Sequence, residues 1–359
     1  MRILVFGAGA IGSLLGHRLA QAGHEVTLVG RASYVRAVRE QGLILEEHGR
    51  KAIVYPRAVE RLEELAAGVS AWDLIVLTVK VYDTQEAARA LGASIPPRSS
   101  VLLMQNGVGG EELARHELPA ALLISGVVMW PVSVLSPGHV LLRSTRGGAS
   151  LAPTCPDQYV GGWVKRLSQA GVPTNAYSDY RALKWSKLLL NMLANAVPAI
   201  LDMSPGQVFS HRGLFAVEHE AYLEALAVMQ ALGLHSVALP SYPVPLLAWA
   251  MQKLPEAILR PLLQRLVASG RGEKKPSLQI DLELKRERSE VSYLNGAAAS
   301  HAERLGLDAP VNRALENVLL GIATGRLPWS EFRGRPERLI DAIRSEKECE
   351  RYERASSLE

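Results

Sequence analysis

Residues 1–12 read MRILVFGAGAIG, residues 13–24 SLLGHRLAQAGH and residues 25–29 EVTLV, and these three pieces decide the fold of the first half of the chain. Residues 2–7, RILVFG, read as a short apolar strand. Apolar residues then recur at helical spacing as far as Leu19, and Glu25–Val29 makes a second strand. Between them lies Gly7-Ala8-Gly9-Ala10-Ile11-Gly12, a GxGxxG in the strand, turn, helix, strand order that a dinucleotide-binding turn requires. Gly7 permits the tight turn, Gly9 lets backbone approach a pyrophosphate, and Gly12 lets the helix pack on the strand. The helix N-terminus supplies N–H groups and partial positive charge to phosphates. Cofactor contacts are therefore expected from residues 7–12.

The end of the second strand selects between cofactors. An NAD site places Asp or Glu there to hold the ribose 2′-hydroxyl. Here the chain reads Val29-Gly30-Arg31-Ala32-Ser33, with a guanidinium suited to a 2′-phosphate and no carboxylate, so NADP(H) is expected. The alternative leaves Arg31 merely solvating a loop. Further along, Asp73-Leu74-Ile75-Val76-Leu77-Thr78-Val79 is a continuous apolar strand ending in Lys80, which puts Lys80 at the carboxyl edge of a doubly wound sheet. Val101–Met104 is another strand, followed by Gln105-Asn106-Gly107-Val108-Gly109. Residues 43–59 suggest a hairpin, strands are expected at 122–129, 138–143 and 148–152, and a helix at 158–171.

Working outward, 359 residues at about 150 per domain make two domains. Apolar residues are 48% and charged residues 21%, which excludes a disordered or collagen-like chain. A net charge of +4 is too small and scattered to argue for nucleic acid. Cys155 and Cys349 lie far apart without a CxxC, so neither a disulfide scaffold nor a zinc site is indicated. No HExxH occurs; Glu218-His219-Glu220 is read as a solvated helix face rather than a metal cluster. No leader or membrane span is legible, since Lys187, Asn191 and Asn195 interrupt the most apolar stretch, and a cytoplasmic protein is expected.

From about residue 178 the pattern turns helical, with helices expected at 179–201, 205–210, 212–232, 244–268, 276–306, 310–323 and 336–350. The fold class is α/β: an amino-terminal Rossmann-type doubly wound sheet followed by an all-α carboxy-terminal domain. Its divisions are 1–177, 178–335, and a charged helical tail over 336–359. Within the first of these helices Lys187, Asn191 and Asn195 fall at i, i+4 and i+8, one stripe drifting by ~40° per step. Their neighbours are almost all apolar, so the stripe must find partners, either in a substrate or in adjoining helices. Desolvation lowers a lysine pKa, which suits Lys187 to proton donation. Glu290, in Ser289-Glu290-Val291-Ser292-Tyr293-Leu294-Asn295-Gly296, taken alone reads as a helix-surface charge.

Taken in order, GAGAIG with Arg31, TVK ending at Lys80, QNGVG at 105–109, WSKLLLNMLAN at 185–195 and SEVSYLNG at 289–296 resemble the ketopantoate reductase (2-dehydropantoate 2-reductase) family over roughly residues 1–325. The resemblance implies an NADP-dependent oxidoreductase that reduces a 2-oxo acid, by default ketopantoate, to the 2-hydroxy acid in pantothenate and coenzyme A biosynthesis. It implies a catalytic pair in Lys187, the general acid, and Glu290, which contacts cofactor or substrate. Substrate contacts are implied for Asn106, Asn191, Asn195 and Ser277, and cofactor contacts for Arg31, Lys80, Asn106 and Glu290, with no metal. A homodimer is implied as well. A dehydrogenase of a related 2-oxo acid or of a 3-hydroxyacid, and a non-catalytic NADPH-sensing protein, are the alternatives. Three departures stand out. Residues 240–275 look like extra length, Ser277 lies one residue further from Glu290 than usual, and Val197-Pro198-Ala199 and Asp202–Gly206 depart from the family pattern.

Overall fold

The computed structural model describes residues 1–65, 72–271 and 275–357. The chain divides into two compact units, Met1–Lys184 with Ala238–Tyr242, and Trp185–Val237 with Pro243–Glu359. The sequence pattern placed the change of character at 178; the contacts place it between Lys184 and Trp185, inside a helix.

The first unit begins with β1 (Arg2–Phe6), α1 (Ala10–Gln21), β2 (Glu25–Val29) and α2 (Ala32–Gln41). A hairpin of β3 (Leu43–Glu47) and β4 (Arg50–Val54) follows, then β5 (Arg57–Val59), β6 (Leu74–Leu77), α3 (Thr84–Gly92) and β7 (Ser100–Leu103). The unit continues through α4 (Gly110–Glu117), β8 (Leu122–Val128), β9 (Val132–Ser136), β10 (His139–Leu142), β11 (Ala149–Pro153), α5 (Gly161–Gln169) and β12 (Thr174–Ala176). Eight strands form one sheet in the order β12-β11-β8-β7-β6-β1-β2-β5, parallel except for the β11–β8 pair. Ile3, Val5, Leu28, Val76 and Leu102 enter the core on one face, and Leu4, Val29, Ile75, Leu77 and Leu103 enter it on the other. That two-faced burial is why these strands read as unbroken apolar runs. The expected 43–59 hairpin stops at Val54; β3 and β4 join β10 and β9 in a second, four-stranded sheet, while β5 pairs with β2.

Because β2 and β6 flank β1 on opposite sides, the strand order reverses at β1, and ligands of open α/β sheets bind outside the carboxyl ends of strands at such a point. Residues 7–12 and Thr78-Val79-Lys80 both leave the sheet there.

The second unit is helical, apart from the start of α6 (Tyr180–Met192): α7 (Ala196–Leu201), α8 (Pro205–Ser210), α9 (Arg212–Ala231), α10 (Val244–Lys253), α11 (Glu256–Arg271), α12 (Ser277–Glu283), α13 (Asn295–Leu305), α14 (Pro310–Ala323) and α15 (Pro336–Ser357). Three expected helices are broken. The 179–201 helix stops at Met192, Ala194 takes the left-handed φ of 52°, and α7 starts anew. The 276–306 helix divides into α12, an irregular passage with Lys285 at φ 52°, a 3-10 turn over Glu290–Tyr293, and α13. The 244–268 helix is interrupted ahead of Pro255, a residue that disfavours helix for its predecessor. The charged tail is not a separate appendage: Leu339 and Ile343 of α15 are buried, and its Glu350 pairs with Arg313.

Candidate active site

The turn after β1 is held from two sides, by β2 and by the end of β6. Gly7 and Ala8 N–H both donate to Val29 O, at 3.2 and 3.0 Å, and Thr78 Oγ1 donates to Gly7 O at 2.7 Å. Gly7 has φ 109°, and a Cβ there would stand 2.4 Å from Val79 N. A Cβ on Gly12 would lie 2.3 Å from Gly7 O, so helix and turn approach as closely as glycine allows. Gly9 differs: its Cβ would meet nothing within 4 Å. No side chain caps α1, whose N-cap is Gly9 itself. Open space over Gly9 at an uncapped helix N-terminus fits a pyrophosphate, so the residues present fit a dinucleotide.

Arg31 is exposed and is the N-cap residue of α2, one position after Gly30. The would-be Cβ of Gly30 meets Tyr34 Cδ1 at 2.8 Å and Ala8 Cβ at 2.9 Å, so the β2–α2 turn lies against the glycine turn. Burial pushes the Tyr34 phenol up to about 12, and its oxygen accepts from Ser13 Oγ at 3.1 Å. Lys80 is half-buried at the end of the Thr78-Val79-Lys80 strand exit. Asn106 is exposed in the turn between β7 and α4, preceded by a buried Gln105 and followed by Gly107 at φ 86° and Gly109 at φ 103°.

In the second unit, Lys187 and Asn191 are both half-buried and stand one turn apart on α6, while Leu188, Leu189 and Met192 are buried. Asn195 does not continue that stripe, because the helix ends before it. Its carboxamide Oδ1 accepts from the backbone N–H of Leu278 at 3.4 Å, next to Ser277, which is exposed at the first position of α12. The structure thus brings Asn195 and Ser277 together and separates Asn195 from the helical register of Lys187. The chain between Ser277 and Glu290 is not one helix, so a one-residue difference in spacing does not rotate Ser277 away from the site by a helical step. Glu290 is 4% exposed in a 3-10 turn that starts after Ser289, whose Oγ accepts from Val291 N. Its reading as a helix-surface charge is therefore corrected.

The structure gives other polar residues roles that the sequence does not show, and corrects the solvated-face reading for Glu218. Thr78 anchors the glycine turn, a role that only the fold discloses. Lys184 is buried, with Nζ 3.0 Å from Glu111 Oε1 and donating to Gln105 O at 2.7 Å. Glu218 is buried, and its Oε2 accepts from the N–H of Ala194 at 2.8 Å, so it supports the helix break rather than facing solvent. Glu220 pairs with Lys347, and His219 Nε2 bonds Met251 O at 2.7 Å, which disperses the Glu218-His219-Glu220 triplet. Among the described residues no group of three or more His, Cys, Asp or Glu side chains could hold a metal ion.

The glycine turn at a sheet switch point, followed by a helical half with Lys187 and Asn191 on one helix face, defines a dinucleotide-dependent oxidoreductase of two-unit build. The chain belongs to the ketopantoate reductase family: the model described as Ketopantoate reductase PanE/ApbA matches residues 3–153, and that described as Ketopantoate reductase PanE/ApbA C terminal matches 179–323. Curated relatives include the 2-dehydropantoate 2-reductases of Pyrococcus horikoshii, 28% identical over 87% of this chain and 94% of its own length, and of Archaeoglobus fulgidus, 27% identical over 90% and 98%. Its members act on CH–OH groups, and the chain is an enzyme of that class. Among solved structures, the PanE/ApbA family ketopantoate reductase from Ralstonia eutropha JMP134 shares 29% identity and a TM-score of 0.76 over 91% of this chain and 99% of its own. D-mandelate dehydrogenase with NADH and anilino(oxo)acetate shares the fold, with a TM-score of 0.74 at 23% identity over 90% and 99%. No helix among the described residues is long and apolar enough to cross a membrane.

Proposed function

We propose that the chain reduces a 2-oxo acid to its 2-hydroxy acid with NADPH, with 2-dehydropantoate as the default substrate and pantoate as the product that pantothenate and coenzyme A biosynthesis consumes. The observation that carries the mechanism is the half-buried Lys187 with Asn191 one turn away, on a helix whose Leu183, Trp185, Leu188, Leu189 and Met192 are buried. When bound, the nicotinamide supplies a hydride to the carbonyl carbon. Lys187 faces the developing negative charge on the carbonyl oxygen, stabilises it, and gives it a proton. Asn191, Asn195 and Ser277 hold the polar groups of the acid, Asn106 positions cofactor and substrate, and Glu290 contacts either of them. The backbone of residues 7–12 takes the pyrophosphate, and Arg31 and Lys80 take the phosphate-bearing end of NADPH. No carboxylate stands beside Arg31 between Val29 and Tyr34, which supports NADPH over NADH.

A second 2-oxo acid has its own support. Val197-Pro198-Ala199 and Asp202–Gly206 depart from the family pattern, and Asp202 is engaged by Gln279 and Arg333. The fold is shared with D-mandelate dehydrogenase, whose structure holds NADH and an aryl-bearing oxo acid. The test follows the absorbance of NADPH and of NADH with a panel of 2-oxo acids that includes 2-dehydropantoate and an aryl-substituted acid. Turnover of 2-dehydropantoate with NADPH supports the proposal, and turnover of the aryl acid alone transfers it to the second substrate. Dinucleotide binding without turnover of any acid would leave a sensor. A homodimer and a cytoplasmic location belong to the same proposal, with the mass in solution from light scattering testing the former.

A further inference from the structure

Lys184 is a buried cation that the proposed chemistry does not use, three residues before Lys187. Its Nζ sits 3.0 Å from Glu111 Oε1, with both side chains 4% exposed, and donates to the backbone carbonyl of Gln105 at 2.7 Å. Glu111 Oε1 also accepts from Ser125 Oγ at 2.6 Å. Gln105 is held a second time, by its Nε2 donating to Thr84 Oγ1 at 2.6 Å, while its Oε1 has no partner. All of these residues lie in the first unit. Gln105 is buried and held at both its carbonyl and its carboxamide, and the next residue, Asn106, is exposed. Two glycines with positive φ follow at 107 and 109, and their backbone freedom cannot hold the turn by itself.

A buried ion pair is a poor source of net stability, since desolvation offsets its Coulomb energy, and its best-attested use is to specify a geometry. We propose that Lys184, fixed by Glu111, is a positioning residue for Asn106 and so for the nicotinamide end of the dinucleotide. The inference rests on the proposed placement of Asn106 beside the nicotinamide. Removing the ammonium frees the Gln105 carbonyl and leaves the bond to Thr84 to hold the Gln105 side chain. The adenine and phosphate end, held by residues 7–12, Arg31 and Lys80, is untouched by the change.

The test compares wild type with Lys184→Met and with the double variant Lys184→Met/Glu111→Met, which removes both buried charges so that no unpaired carboxylate remains. Each is titrated with NADPH and NADH, and with ADP-ribose and its 2′-phosphate, which lack the nicotinamide. In a folded double variant the affinity for the whole dinucleotide falls about tenfold, kcat falls at least as far, and the affinity for the fragments stays within about twofold. A double variant with wild-type affinities and kcat, or one that loses fragment and dinucleotide affinity equally, overturns the proposal. Should the double variant not fold, Ser125→Ala reads the same ratio with both charges in place, and an unchanged ratio counts against the proposal. A wild-type chain that binds the fragments but neither dinucleotide more tightly overturns instead the placement of Asn106 at a nicotinamide.

Discussion

Thr78 Oγ1 donates to the carbonyl of Gly7 at 2.7 Å across 71 residues of sequence. The same carbonyl accepts from Gly9 N–H at 2.8 Å and stands 2.3 Å from where a Cβ of Gly12 would be. One oxygen therefore ties the end of β6 to the turn after β1 and fixes how closely α1 approaches both. This is the local basis of the dinucleotide cradle: the carbonyl is tied within the protein, and the space over Gly9 is left to a ligand.

The two glycines should consequently respond differently to a methyl group. Gly12→Ala forces its Cβ against Gly7 O and Thr78 Oγ1, so the ligand-free protein loses about 1–3 kcal/mol of stability by overpacking. Gly9→Ala meets open space and leaves the ligand-free unfolding curve within about 0.5 kcal/mol of wild type. Its methyl nevertheless occupies the pyrophosphate position, and dinucleotide affinity falls by about tenfold or more. Urea denaturation and fluorescence titration measure the two effects separately. A Gly9→Ala protein that binds dinucleotide normally would remove the pyrophosphate from this turn.

Arg31 is tested by cofactor preference. A charge-assisted bond to a phosphate is worth about 1.5–3 kcal/mol, so Arg31→Ala weakens NADPH binding by roughly ten- to a hundredfold. NADH offers no 2′-phosphate and its affinity changes little. Calorimetric titration of both cofactors against both proteins gives the ratio, and an equal loss for the two would assign Arg31 to loop structure alone.

Lys187→Ala removes the proposed proton donor and the charge facing the carbonyl oxygen. The expected loss in kcat is about 10²–10³-fold, the magnitude of losing one oxyanion-stabilising group. NADPH affinity stays within about twofold, because Lys187 is assigned to the substrate oxygen and not to the dinucleotide. Near-normal kcat in this variant refutes the role.

Ala194 is a left-handed alanine in the break between α6 and α7, with its N–H held by the buried Glu218. Glycine adopts that φ without the Cβ penalty, so Ala194→Gly should gain up to about 1 kcal/mol in urea denaturation. Glu218→Ala should cost about 1–3 kcal/mol by withdrawing the acceptor from a buried N–H. If Ala194→Gly instead destabilises by more than Glu218→Ala, the alanine methyl is packing the break and strain is not its main energetic feature.

How far the sequence could be read depended on whether a feature is local. The cradle was legible because Gly7, Gly9, Gly12 and the two flanking strands lie within thirty residues, and each glycine has its own steric reason. The break at Ala194 had one local signal, Pro198, which lacks the N–H that a continuous helix would donate to the Ala194 carbonyl, but the acceptor that stabilises the break, Glu218, comes from another helix. Glu290 looked like a surface charge because its burial depends on a 3-10 turn that the polar run Lys285–Ser289 does not announce. Lys184 escaped notice for a similar reason, as its partners Gln105, Glu111 and Ser125 are brought to it only by the sheet. The strand at β9 was missed because it is short and its last three residues, Val134, Leu135 and Ser136, are all exposed, which leaves no alternation to read.

Glu224 supplies a test in pH. Its carboxylate oxygens accept from Val311 N at 3.0 Å, Asn312 N at 2.9 Å and Asn312 Nδ2 at 2.7 Å, capping the start of α14. Burial outweighs these bonds and pushes the carboxyl up to about 7 from its ordinary 4.5. The folded protein then keeps a proton that the unfolded chain has already released between those two values. Stability contributed by this group is therefore complete below the unfolded value, falls as pH rises through the window, and is flat above about 7. The whole effect is bounded at roughly 3 kcal/mol by about 1.4 kcal/mol per pH unit. Glu224→Gln does not titrate, so the stability of wild type relative to this variant should shrink between pH 5 and pH 8, as read from urea denaturation at intervals across the window. Parallel curves for the two proteins would mean that the three N–H donors hold the carboxylate charged and that burial does not govern its titration.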